Sequence, residues 1–448
     1  MLRPIAKHKR IDISPPQWMI IGFAAIILLG TALLATPLAS ANGRSIGFLN
    51  AIFTATSAVC VTGLTVVDTA STFSMFGEIV LLVLIQLGGL GFMTFGVIVA
   101  ILLGKRLGLR ERMLIQESTK AAHVQGLVRL SLSIFLIAVL FEAIGSLVLT
   151  LRLLPDYGLG RAIYYGVFHS ISAFNNAGFV LWPDNMIRFA GDPVMNVAIA
   201  VLFLSGGLGF TVFVDLYRKR RWRTLSLNSK ISLVASGGLV VAGFLVVFGL
   251  ELLNPVAYQT MTWWERAWVA FFQSVTPRSS GFNSIDLTFM MTATQFFLIF
   301  LMFIGGSSGS TGGGIKVTTF VVLLVAMYSS IRGREQVHIF ERRIPYDIVL
   351  RALSVIIISL GAVMFVAFLL TITEPEQDFI ALLFEATSAF CTVGLSLNLT
   401  MELSPAGKAI ITATMFLGRL GPLTLAFALA QRRKETKIGY AEEKILIG

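Results

Sequence analysis

Four stretches of this 448-residue chain share one spacing: FTATSAVCVTGLT, FHSISAFNNAGFV, FFQSVTPRSSGFN and FEATSAFCTVGLS each place a Phe ten residues before a Gly. The pairs are Phe53 with Gly63, Phe168 with Gly178, Phe271 with Gly281, and Phe384 with Gly394. The side chains between them differ, so any shared chemistry belongs to the backbone. Glycine adopts the φ values that turn successive carbonyls to one side, where a residue with a Cβ resists. Carbonyls gathered around one hole can replace the water shell of a dehydrated cation. A short helix ending at that point adds the partial negative charge of its C-terminus.

The elements that must position these stretches lie in an apolar chain. It is 56% hydrophobic and 13% charged, far from the usual balance of a soluble domain. Segments without Asp, Glu, Lys or Arg run over Ile13–Gly43, Ile79–Gly104, Pro193–Val214, Ile231–Leu250, Leu287–Ile315 and Ala352–Thr373, each long enough to cross a membrane as a helix. The N-terminal layout, MLRPIAKHKR followed by an apolar run and LASA, also fits a secretory signal. The run from Trp18 to Ala35 is long for that purpose, and equivalent helices head the later repeats.

The glycines repeat at about a quarter of the chain, which predicts four units on one plan over 14–104, 127–219, 230–332 and 348–431, with a tail at 432–448. Each unit has a first helix (16–38, 127–154, 231–253, 348–373), a stretch too short to span, and a second helix (74–104, 192–218, 291–331, 405–430). Non-helical backbone at membrane depth survives only when buried in protein or lining a wet cavity. The predicted fold class is therefore an all-α integral membrane protein with eight transmembrane helices, four re-entrant pore helices and pseudo-fourfold symmetry. Close helix packing by small residues is the competing reading of any one stretch. Four in register favour a pore.

Lys and Arg concentrate in 1–17, 104–126, 217–230, 329–351 and 431–448, which hold 25 of the 35. The intervening loops carry acids such as Asp68, Asp184 and Asp286. By the positive-inside rule both termini are cytoplasmic. The net charge of +11 then reads as topology and contact with lipid headgroups, and nucleic-acid binding is the weaker reading. Cys60, Cys391 and four scattered histidines predict neither a disulfide framework nor a metal centre. An intramembrane enzyme would need a nucleophile and base within the bilayer, and His169 with Ser172 is the nearest approach.

The chain resembles the Trk/Ktr/HKT superfamily of potassium transporters, in particular the membrane subunits of bacterial Ktr systems. The resemblance covers 14–431 and is carried by the four glycine stretches with IQLGGLGFMTFG, LFLSGGLGFTVF, MFIGGSSGSTGGGIKVTTF and MFLGRLGPLTLAFAL in order. It implies a K⁺-selective pore, a homodimer with one pore per subunit, and glycine rather than serine in the first filter position for K⁺ over Na⁺. The implied ion ligands are backbone carbonyls of Val61, Thr62, Gly63, Asn176, Ala177, Gly178, Ser279, Ser280, Gly281, Thr392, Val393 and Gly394, with K⁺ held at the four glycines. No cofactor is expected in this chain; K⁺ is the cargo and Na⁺ an activating ion. A cytosolic nucleotide-binding RCK ring, of the KtrA or KtrC kind, is the implied regulator, since no Rossmann pattern is present here. A Na⁺- or H⁺-coupled symporter is the alternative, although quarter-chain repeats facing one way fit it poorly.

The third unit departs after its glycine pair. So many Gly and Ser residues in GGSSGSTGGGIK make a poor helix interior. Gly309 and Gly314 have phosphate-loop spacing, but Ile315 stands where the Lys must follow. A kink is one reading; the resemblance implies an intramembrane gate of Gly305, Gly306, Ser307, Ser308, Gly309, Ser310, Thr311, Gly312, Gly313, Gly314 and Lys316, working with Arg419. Arg419 replaces the Gly89, Gly207 and Gly306 of the other units, and an Arg at that depth is costly. It serves either as a cation barrier beneath the filter or as a partner for Glu142. Arg278, three residues before Gly281, is expected to turn away from the ions and pair with an acid behind the pore.

Overall fold

The computed structural model describes residues 15–91 and 127–421, apart from 255, 257, 259, 260 and 335. The basic segments at 104–126 and 431–448 lie outside it. The described chain is helical apart from one hairpin. The first unit holds α1 (Pro15–Leu34), α2 (Phe48–Cys60) and α3 (Met75–Leu90). In the second, α4 (Leu127–Phe174) is two helices joined at a kink, followed by α5 (Pro193–Leu208) and α6 (Phe210–Lys219).

The third unit holds α7 (Leu227–Glu251), α8 (Trp263–Val275), α9 (Thr292–Phe303) and α10 (Val317–Ile331). A two-stranded antiparallel hairpin, β1 (Val337–Ile339) with β2 (Arg342–Ile344), leads to the fourth. There α11 (Tyr346–Thr373), α12 (Phe379–Phe390) and α13 (Pro405–Leu420) follow.

Among the described residues four helices are long and apolar enough to cross a membrane, and the bent pair α5–α6 makes a fifth. Their exposed faces carry large apolar residues such as Leu28, Leu136, Leu147, Val241 and Phe365, as a lipid solvent favours. The short helices α2 and α12 and the end of α4 are wrapped instead. Phe53, Phe168 and Phe384, the residues ten before each glycine, are fully buried. In the third unit Phe271 is only partly buried and Phe272 is the fully buried ring.

The kink in α4 has a local cause. Pro155 removes a backbone donor, and Gly158 takes φ +70° and ψ 166°, so the membrane-length helix turns into the short one there.

One expectation is corrected. The second helices read as unbroken in the first, second and fourth units, yet α3, α5 and α13 each stop at a glycine, Gly91, Gly209 and Gly421, with φ of +78°, +90° and +82°. In the second unit the two pieces of that helix, α5 and α6, meet at 88°. An apolar run records the length of buried chain, whereas a single residue with positive φ ends the helix. Three residues before each break a second glycine, Gly88, Gly206 or Gly418, presses against the carbonyl of Val59, Phe174 or Phe390 at the end of the neighbouring short helix. No Cβ fits at these three positions.

Candidate functional site: a glycine ring under an acidic cavity

The four glycine segments come together in a closed ring. A Cβ built on Gly63 would lie 2.6 Å from the Ala177 carbonyl oxygen and 3.1 Å from Gly178 Cα; one on Gly178 would lie 2.8 Å from the Ser280 oxygen. On Gly281 it would lie 2.9 Å from the Val393 oxygen, and on Gly394 it would meet the Thr62 oxygen. The succession 63, 178, 281, 394 and back to 63 brings the carbonyls of Thr62, Ala177, Ser280 and Val393, each just before a glycine, into one constriction.

Each short helix ends in the same way. Two residues before the glycine stands a non-glycine in the left-handed region: Val61 at φ +52°, Asn176 at +61°, Ser279 at +78° and Thr392 at +49°. Left-handed backbone is costly with a side chain, about 1–2 kcal/mol. Helix-closing bonds offset it. Thr62 N–H donates to the Ser57 carbonyl, Ala177 N–H to Ser172 and Val393 N–H to Ser388, each at 2.8 Å, the pattern of a left-handed helix cap. The third unit differs, with Ser280 N–H on Thr276 at 3.1 Å.

Hydroxyls then fix the glycines. Ser57 Oγ accepts from Gly63 N–H at 3.0 Å and Ser388 Oγ from Gly394 N–H at 3.1 Å. Ser172 Oγ instead donates to the Phe179 carbonyl at 2.7 Å, and Thr276 Oγ1 donates to that of Phe282. Sequence reading missed Ser57 and Ser388, and weighed Ser172 only as a nucleophile. The signal was there, a Ser six residues before the glycine in three units, with Val275 in the third.

The segment Gly305–Lys316 lies across one face of the ring. Ser307 N–H donates to Gly207 (2.8 Å), Thr311 N–H to Gly206 (3.2 Å), and Phe210 N–H to Gly309 (3.0 Å). Gly305 N–H closes the base of the loop on Ile315 at 2.9 Å. Two hydrogen bonds reach the ring itself: Gly313 N–H to Ser279 Oγ at 3.1 Å, and Thr311 Oγ1 to Asn176 Oδ1 at 3.1 Å. Gly313 lies so close to Thr392 Oγ1 that it has no room for a Cβ. Gly306 and Ser310 are in contact, Ser308 Oγ meets Thr318 Oγ1 at 3.3 Å, and Gly314 packs on Gly305. Lys316 Nζ donates to Gly312 at 2.6 Å.

Arg419 donates to the carbonyls of Thr311 and Gly88, so it clamps the loop to α3. It is not the partner of Glu142. Gln86 Nε2 (3.1 Å) and Asn175 Nδ2 (3.0 Å) hold that carboxylate, placing a polar cluster behind the second segment. Glu142→Leu takes its acceptor from the half-buried Gln86 Nε2, at about 1–3 kcal/mol, while Asn175 Nδ2 keeps Gln86 Oε1 and the Ile171 carbonyl. It is expected to lower the midpoint of thermal unfolding in detergent, with Glu142→Gln much closer to the parent; equal midpoints for Leu and parent would contradict the cluster's role.

Arg278 is a correction. It turns away from the ring, but its guanidinium donates to Ser236 O (3.2 Å) and Ser236 Oγ (2.9 Å) on α7, and among the described residues it forms no ion pair. A serine in the first helix offers two acceptors at the point of contact, while the acids of this unit are engaged elsewhere: Glu251 with Asn254 and Met291 N–H, Glu265 with Thr262.

Cys60 and Cys391 are buried free thiols packed behind the ring. His169 stacks on Trp182 with ring centroids 3.8 Å apart, and among the described residues no cluster of metal-ligand side chains occurs.

Two cavities flank the ring. One of 470 Å³ touches all four glycines and is walled by Asp68, Asp184, Asp286 and Glu402. The other, 380 Å³, is lined by Gly312, Gly313, Lys316, Phe390 and Arg419. Acidic side chains thus stand on one side of the ring and cationic ones on the other, an arrangement whose field favours cations on the acidic side.

Apolar helices around a backbone-lined constriction with a charged cavity at each face are the build of a membrane transport protein. The chain belongs to the TrkH family of cation transport proteins, whose family model matches residues 17–437. It is accordingly a transporter and not an enzyme. It is 44% identical over 440 residues to the Ktr system potassium uptake protein B of Bacillus subtilis, with 98% of each chain covered. To the Vibrio alginolyticus protein of the same name it is 41% identical, over 99% of this chain and 97% of that one. The potassium/sodium uptake protein NtpJ of Enterococcus hirae is 36% identical over 99% of each. The crystal structure of the potassium transporter TrkH from Vibrio parahaemolyticus superposes with a TM-score of 0.72, covering 95% of this chain and 87% of that chain at 20% identity, a likeness of fold.

Proposed function

We propose that this chain is a K⁺ uptake pore of the cell membrane, conducting inward down the electrochemical gradient. The observation that carries it is the closed ring of Gly63, Gly178, Gly281 and Gly394 between an acidic cavity and a cationic one. The names of the relatives, potassium uptake proteins, support the same cargo.

In this reading the carbonyls from Val61–Gly63, Asn176–Gly178, Ser279–Gly281 and Thr392–Gly394 take the place of water around K⁺, and the C-termini of α2, α4, α8 and α12 add negative potential. Gly305–Lys316 with Arg419 obstructs the inner side as a gate. The second helices, bent at their glycines, complete eight spans around four re-entrant helices, and both termini face the cytoplasm. The chain works as a homodimer with one pore per subunit, and a cytosolic nucleotide-binding RCK ring moves the gate. Na⁺ acts as a stimulating ion, a role to which the potassium/sodium name of the Enterococcus relative lends support.

The test is cation flux into proteoliposomes holding this chain alone, with K⁺, Rb⁺ and Na⁺ gradients and a clamped potential. K⁺ and Rb⁺ entry that follows the potential is expected. Flux that requires a Na⁺ or proton gradient at fixed stoichiometry would replace the pore by a coupled carrier.

A further inference from the structure

Nine residues before the four glycines stand Thr54, His169, Phe272 and Glu385, all buried. Two of them reach out of their own helix to the segment that leaves the ring. His169 Nδ1 bonds the Tyr165 carbonyl (2.7 Å) while Nε2 accepts from Leu181 N–H (3.1 Å), three residues beyond Gly178. Glu385 accepts from Ser396 Oγ at 2.7 Å and from Thr400 Oγ1 at 2.6 Å, beyond Gly394. The other two do not reach across. Thr54 bonds its own helix at Asn50, and Phe272 packs against Phe203. The braced units are the second and fourth, which sit across the ring from each other, so the ring is supported with twofold rather than fourfold symmetry.

Glu385 is the more telling of the pair. A fully buried carboxylate whose side-chain donors are two hydroxyls is expensive, and Phe272 shows that an apolar ring fills this position in another unit. Both hydroxyl residues line the acidic cavity beside Gly394. The carboxylate therefore ties the wall of that cavity to the helix that ends in the fourth filter segment.

We propose that Glu385 is a positioning residue for ion selection: from behind the fourth segment it holds Ser396 and Thr400, and through them the carbonyls at Thr392–Gly394. This rests on the filter reading given above. The expected result of Glu385→Ala is a fall of roughly fivefold in the ratio of K⁺ to Na⁺ uptake, as charge-assisted hydrogen bonds are lost, with a raised KM for K⁺. Glu385→Gln, which still presents an oxygen and can pair with rotated hydroxyls, should restore most of the ratio.

Ser396→Ala with Thr400→Val attacks the same bonds from the other end and stands as the test if Glu385→Ala does not fold. Its shift should match that of Glu385→Ala, and combining all three changes should add little. A ratio unchanged in Glu385→Ala, a fall in maximal rate alone for both ions, a Gln variant as poor as Ala, or full additivity would each overturn the proposal. Gly394→Ser in the same assay separates the two readings. A shifted ratio there with none at Glu385 sinks the positioning role alone, and no shift at either sinks both.

Discussion

Gly63→Ser is expected to cut the preference for K⁺ over Na⁺ by about tenfold or more. Gly63 holds φ +92°, where any side chain is strained by about 1–2 kcal/mol, and 1.4 kcal/mol is a factor of ten in an equilibrium. The new Cβ would also begin 2.6 Å from the Ala177 oxygen, backbone that the second short helix holds in place. Relief requires the first and second segments to part. A wider ring contacts K⁺ poorly and loses its advantage over a smaller or partly hydrated ion. The measurement is paired K⁺ and Na⁺ uptake in cells that lack other K⁺ systems. A ratio equal to the parent's, with the protein present in the membrane, would remove the filter assignment.

Deleting Gly309–Gly312 is expected to raise flux through this chain alone by about a hundredfold. The deleted residues supply the carbonyls taken by Phe210, Arg419 and Lys316 and the N–H of Thr311, at about 1 kcal/mol net for each ordinary bond. Losing about 3 kcal/mol from the closed arrangement shifts a two-state balance by roughly that factor. Arg419→Ala should move flux the same way by less, since it frees one end of the clamp. Proteoliposome flux without any partner protein measures both. No rise, with the protein folded, would mean the loop does not obstruct the path and would remove the gate assignment.

Composition alone set the solvent. A chain with these charge-free runs has to bury its backbone polar groups in helices, and the ordered glycine motifs carried the family. The four aligned glycines were legible because a positive φ leaves a mark on residue type. The left-handed positions at Val61, Ser279 and Thr392 were not, because nothing in those side chains advertises a conformation that the helix-closing hydrogen bonds impose; Asn176 alone is of a type that favours it. Arg278 shows the same limit from another side. Its place three residues before Gly281 predicted a side chain turned away from the ions onto an acid, but Ser236 is 42 residues away in sequence and is brought up only by the packing of α7 on α8.

The breaks at Gly91, Gly209 and Gly421 divide the two kinds of knowledge. The motif glycines were visible, yet hydrophobic periodicity does not say whether a glycine inside an apolar run packs closely or ends the helix. Gly88 does the first and Gly91 the second, three residues apart. The sequence by itself determined the membrane class, the quarter-chain spacing of the four glycines and the unusual loop with its distant arginine, since each depends on residue type and local spacing. Tertiary structure alone decided which carbonyls face one another, that Arg419 holds Thr311 rather than Glu142, and that Glu385 braces the segment beyond Gly394. Those contacts join residues far apart in the chain, and their geometry is set by how four packed units close on one another.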